Sequence, residues 1–105
     1  MEKNQIDKNG EKHGYWEGYY SSGELSYKGH YSNGKLDGLW ESYYDNGQLL
    51  SKGHYINGKP NGLWEYYHNN GKLVSNGNYI NGKKDGSWEC YNYNGELIEQ
   101  EYFIN

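Results

Sequence analysis

Trp16, Trp40, Trp64 and Trp88 stand 24 residues apart, and this period constrains the fold more than any other feature of the chain. Each tryptophan is followed by a glutamate (Glu17, Glu41, Glu65, Glu89) and, three residues on, by a tyrosine (Tyr19, Tyr43, Tyr67, Tyr91). Then come Gly23, Gly47, Gly71 and Gly95, and Leu25, Leu49, Leu73 and Leu97. Gly29, Gly53 and Gly77 follow, then Tyr31, Tyr55 and Tyr79, with Phe103 in the last unit. Units close on Asn-Gly at 33–34, 57–58 and 81–82, and Gly38, Gly62 and Gly86 stand two residues before the next tryptophan. No insertion breaks the register, so repeats begin near residues 14, 38, 62 and 86 behind a polar cap at residues 1–13. A unit this short buries its apolar face only by stacking on its neighbours.

The 105 residues fit a single domain. Leu, Ile, Val and Phe are sparse enough to suggest disorder. The 18 % of aromatic residues overrules that reading, because Tyr and Trp bury large areas while keeping a polar handle. Sixteen glycines against one proline indicate turns and close backbone approaches. The net charge of −4, with lysine the sole basic residue apart from histidine, disfavours nucleic acid and anionic membrane as partners. A lone cysteine, Cys90, rules out an intrachain disulfide framework. The first 13 residues carry no apolar run and read as neither a signal peptide nor a membrane span. A cytoplasmic location is the expectation.

Asn-Gly between short aromatic and aliphatic runs signals a type I′ hairpin turn, which needs positive φ at both central residues. Centred on Asn46-Gly47, such a turn pairs Tyr44 with Leu49, Tyr43 with Leu50, Glu41 with Lys52 and Trp40 with Gly53. Centred on Asn57-Gly58, it pairs Tyr55 with Pro60 and Ser51 with Trp64. The parities agree, so side chains keep to consistent faces. The expected fold is all-β: an elongated, single-layer antiparallel meander of about eight or nine strands. One face carries Trp40, Tyr44, Leu49, Gly53 and Tyr55, with each tryptophan over a strand glycine as Trp16–Gly29, Trp40–Gly53 and Trp64–Gly77. The wetter face carries Tyr43, Leu50 and the charge pairs Glu41–Lys52 and Glu17–Lys28. Tyr102, Phe103 and Ile104 form a β-prone run on the last strand, an edge suited to pairing with a second copy of the chain.

The unit Gly38 to Asn61, with junctions Asn33-Gly34-Lys35-Leu36-Asp37-Gly38 and Asn81-Gly82-Lys83-Lys84-Asp85-Gly86, resembles the MORN repeat in its bacterial variant. The resemblance covers residues 9 to 105. It implies an elongated, twisted antiparallel sheet with a shallow groove, and a protein-binding role such as that of the YwqK-type antitoxins. Other members of the wider family act as scaffolds or at membranes, which supplies the alternative reading. Choline-binding repeats share Trp-x-Tyr-Tyr hairpins, but their period near twenty and different junctions argue against them.

Trp16, Tyr20, Tyr31, Trp40, Tyr44, Tyr55, Trp64, Tyr79 and Trp88 form the candidate partner-binding groove, since Tyr and Trp are favoured interface anchors. The competing assignment makes the tryptophans mainly the core of the array. His30 and His54 occupy equivalent slots, about 9–10 Å apart across two strands, too far to share one zinc ion. Cys90 fills a slot held elsewhere by Gly18, Ser42 and Tyr66 and has no repeated base beside it. The glutamate column reads as cross-strand pairing with lysine and not as catalytic carboxylates. Lys12, Lys35, Lys59, Lys83 and Lys84 follow the Asn-Gly turns along one margin and serve solubility and edge protection. The expectation is a non-enzymatic binding protein without cofactor or metal, with a toxin as its protein partner. A membrane-associated or structural scaffold is the alternative.

Overall fold

A computed structural model of the chain describes residues 2–104. Ten strands form one antiparallel sheet: β1 (Gln5–Ile6), β2 (Lys12–Tyr19), β3 (Leu25–Ser32), β4 (Lys35–Tyr43), β5 (Leu49–Ile56), β6 (Lys59–Pro60), β7 (Gly62–Tyr67), β8 (Leu73–Ile80), β9 (Lys83–Tyr91) and β10 (Leu97–Phe103). They neighbour one another in chain order, with β6 lying on β5 beside β7. The count exceeds the expected eight or nine for two reasons. A short strand forms inside the polar N-terminal stretch, and Asn61 interrupts one long strand to give β6 and β7. The molecule measures 47 × 37 × 18 Å.

Two kinds of turn alternate. At Asn33-Gly34, Asn57-Gly58 and Asn81-Gly82 both residues have positive φ, between 51° and 85°, as a type I′ turn requires. The Asn46-Gly47 turn differs from expectation, because only Gly47 has positive φ. The Gly47 N–H donates to the Tyr44 carbonyl (3.0 Å) and the Tyr44 N–H to the Gln48 carbonyl (2.8 Å), which describes a type I turn closed by a glycine bulge. Asn46 Oδ1 accepts from the Gln48 N–H (2.9 Å), a local bond that holds the asparagine in the ordinary φ region. The extra residue moves the pairing, so Tyr43 sits opposite Leu49 and not Leu50, while Glu41–Lys52 and Trp40–Gly53 stand as expected.

A larger irregularity lies mid-strand. Tyr31 pairs with Leu36 but Gly29 pairs with Trp40, so three residues of β4 face the single residue His30. The same two-residue slip separates Tyr55–Pro60 from Lys52–Glu65, and Asn78–Asp85 from Asn76–Glu89. Ser51 therefore faces Tyr66 and not Trp64. Gly38, Gly62 and Gly86 sit in these bulges with φ of 116°, 89° and 75°, which only glycine adopts without strain. Because the slip is two residues, every side chain keeps its face.

The slip decides where the indoles lie. Each of the first three tryptophans is the register partner of the glycine ahead of it, at Trp16–Gly29, Trp40–Gly53 and Trp64–Gly77. Yet Trp40 covers Gly29, Trp64 covers Gly53 and Trp88 covers Gly77, each on the preceding strand. The bulge supplies the cause. The Trp64 Nε1–H donates to the His54 carbonyl (3.0 Å) and the Trp88 Nε1–H to the Asn78 carbonyl (2.9 Å), both at bulge positions. The core is thus an aromatic layer on one face, in which Trp64 and Trp88 are 3 % and 4 % exposed.

Asn4 closes one edge of the sheet. Its Oδ1 accepts from the Glu17 N–H (2.8 Å) and its Nδ2 donates to the Glu17 carbonyl (3.2 Å), reproducing with a side chain the two bonds of a neighbouring strand. At the other edge every residue of β10 is exposed except Phe103.

Candidate partner-binding site

On the first face Trp40, Tyr55, Trp64, Tyr79 and Trp88 form an unbroken chain of edge-on contacts, with ring centroids 5.0–6.1 Å apart. Trp16 meets Tyr31 in the same way at 5.9 Å. Five of the nine groove candidates thus form one contact chain, and two more form a separate pair on the same face. Trp64 and Trp88 lie beneath, while Trp16, Tyr31, Trp40, Tyr55 and Tyr79 are half-buried. Tyr20 and Tyr44 stand apart at the hairpin ends, where their hydroxyls donate to the backbone carbonyls of Tyr43 and Tyr67 in the next unit. They staple one repeat to the next.

Two tyrosines missing from the sequence-derived set belong to this layer. Tyr27 stacks on Trp40 at 5.1 Å, and Tyr66 lies between Trp64 and Trp88 with its hydroxyl 3.1 Å from that of Tyr79. Burial pushes the Tyr66 phenol well above its usual range. Strand alternation carries the signal for Tyr66, two residues after Trp64 and on its face. The slot is hidden from a repeat comparison because Gly18, Ser42 and Cys90 fill it elsewhere. Lysines cover both ends of the layer: Lys12 over Trp16 and Tyr31 (4.8 and 5.0 Å), and Lys84 over Trp88 and Phe103 (4.8 and 5.5 Å). Phe103 is thus held inward, whereas Tyr102 and Ile104 are 75 % and 87 % exposed.

The second face carries a charge ladder across the strands. Glu17, Lys28, Glu41, Lys52, Glu65, Asn76, Glu89 and Gln100 are successive register partners. Lys28 leans toward Glu41 (3.2 Å) and not toward the expected Glu17, which is paired instead with Lys3 (2.8 Å). The Lys3 ammonium, helped by the Tyr15 and Tyr19 hydroxyls, holds the Glu17 carboxyl down to about 2. Burial, reinforced by the bond to Glu17, pushes the Tyr15 phenol up to about 12. Beside the ladder opens a cleft of about 530 Å³ lined by Tyr15, Glu17, Lys28, His30, Leu39 and Glu41. A smaller one of about 280 Å³ lies over Lys52, His54, Leu63 and Glu65. His30 and His54 are exposed here, with Tyr15 packed on His30 at 5.5 Å. Cys90 is half-buried opposite Ser75.

The units defined by this geometry match a known repeat. The MORN repeat variant model fits residues 12–33, 36–57, 60–81 and 84–105. The chain belongs to the MORN repeat variant family. The second and third matched MORN segments each run from the strand leaving one type I′ turn to the asparagine of the next, so one unit is one bulged hairpin. No curated protein matches the chain.

Proposed function

We propose that this chain is a non-catalytic protein-binding module whose partner is a toxin that it neutralises in the cytoplasm. One observation carries the binding role: a row of half-buried rings, Trp16, Tyr31, Trp40, Tyr55 and Tyr79, on one face across successive repeats, with Tyr55 and Tyr79 packed on Trp64 and Trp88. Rigid aromatic groups bind with little loss of side-chain freedom, which favours them as anchors. The toxin is suggested by the likeness to antitoxins of the bacterial variant. Affinity capture from the source organism, with Tyr55→Ser as the control bait, tests the binding role. Co-expression with a neighbouring toxin-like gene tests neutralisation. Restored growth that Tyr55→Ser abolishes supports the reading; capture without growth rescue removes the toxin and keeps the module.

The scaffold reading has an observation of its own. Lys35 packs against Gly58 and Lys59 against Gly82, which stacks lysines along the type I′ margin. Membrane attachment through this row predicts binding to anionic vesicles that weakens as salt rises. The net charge of −4 opposes it.

A further inference from the structure

The ladder on the second face changes character halfway along. Glu41 has a lysine on each side, Lys28 and Lys52. Glu65 has Lys52 on one side and Asn76 on the other. Glu89 lies between Asn76 and Gln100, with the Tyr91 hydroxyl donating to it at the long distance of 3.4 Å. In the third repeat Asn76 thus occupies the slot that Lys28 and Lys52 fill in the first two. A second, independent feature marks the same spot. Asn76 Oδ1 is buried and has no hydrogen-bond partner, the sole such side-chain atom among the described residues. A buried acceptor left without a donor destabilises the fold, because its bond to water is lost and nothing replaces it.

A half-buried carboxylate and an orphaned amide oxygen on adjacent strands share one need, a donor-rich cation. We propose that the second face at Glu65, Asn76 and Glu89 receives a basic side chain, arginine or lysine, from the partner. The partner's cation takes the position that lysine holds in the earlier repeats. It completes the ladder between Glu65 and Glu89, and a small turn of the Asn76 amide brings Oδ1 to it. Arginine suits the slot best, because its fork of donors serves a carboxylate and an amide oxygen together. Exposed Leu63, beside Glu65, offers apolar cover for the alkyl stem. This inference rests on the protein-binding reading but engages the face opposite the aromatic row.

The test uses the full chain and the blocked peptide acetyl-Gly-Arg-Gly-amide, followed by NMR shifts of the side-chain amides and backbone. Shifts should centre on Asn76, Glu65 and Glu89 and shrink as salt rises. Glu89→Gln should weaken binding about fivefold or more, as expected for loss of a charge-assisted bond. Asn76→Lys fills the slot from within, so it should abolish peptide binding while raising the thermal midpoint at low salt. That gain in stability separates occupancy of the site from damage to the fold. Binding unchanged in both variants, or shifts spread equally over Glu17 and Glu41, overturns the proposal. The peptide carries no aromatic side chain and engages only the second face, so failure here and failure of the aromatic surface are distinguishable.

Discussion

Gly53 lies beneath the Trp64 ring, and a methyl group there overlaps the indole. Gly62 has no atom near its added Cβ, but its φ of 89° is costly for any other residue. The two glycines therefore answer to different constraints. Gly53→Ala should cost about 1–3 kcal/mol by overpacking, and Gly62→Ala about 1–2 kcal/mol by backbone strain. Urea unfolding in a double-mutant cycle with Trp64→Leu separates them. Coupling is expected to be larger for Gly53, which lies under the ring, than for Gly62, and equal coupling would sink the distinction. Glu17 gives a pH-dependent prediction. Its carboxyl is held at about 2, below its value in the unfolded chain, mainly by the Lys3 ammonium. The stabilisation it contributes is full above the ordinary carboxylate range and disappears as pH falls through about 2. The protection factor of the Glu17 amide, whose N–H is bonded to Asn4, should be high at pH 5 and fall toward pH 2 once exchange is corrected for its intrinsic pH dependence.

Among the elements, the two turn types carry the same dipeptide in opposite states. Asn57 sits at φ 54°, where glycine is equally at ease, so Asn57→Gly should change stability by less than about 0.5 kcal/mol. Asn46 keeps the ordinary φ region and spends its side chain on the Gln48 N–H and, at 2.9 Å, on the Asn69 carbonyl of the next unit. Asn46→Gly should then cost about 1–2 kcal/mol, from two lost bonds and a looser unfolded chain. Midpoints in urea check both, and a larger loss at Asn57 contradicts the assignment. Asn46 and its counterpart Asn70, which bonds the Tyr93 carbonyl at 2.8 Å, join hairpin ends much as Tyr20 and Tyr44 do. Local turn chemistry and inter-repeat stapling thus share residues.

For the whole molecule, stability in a repeat array is a sum of units and of interfaces between neighbours. The deepest burial, at Ser51, Trp64 and Trp88, lies from β5 to β9, whereas β10 is exposed apart from Phe103. Native-state hydrogen exchange should be slowest in β5 to β8 and fastest in β10, with β2 protected by the Asn4 bonds. Uniform protection along the chain would contradict a nearest-neighbour array. Residue order alone specifies the period, the single antiparallel sheet, the Asn33, Asn57 and Asn81 turns, and the face on which each of Trp40, Tyr55, Glu41 and Lys52 lies. Alternation along a strand has period two, so all of these survive an even slip in register. Which neighbour each side chain meets is set by the folded sheet: Trp64 on Gly53 and not on Gly77, Lys28 on Glu41 and not on Glu17, Ser51 opposite Tyr66. The bulges at Gly38, Gly62 and Gly86 make that choice. It depends on bulge carbonyls reached by indole N–H groups from the next unit, contacts that no local spacing encodes.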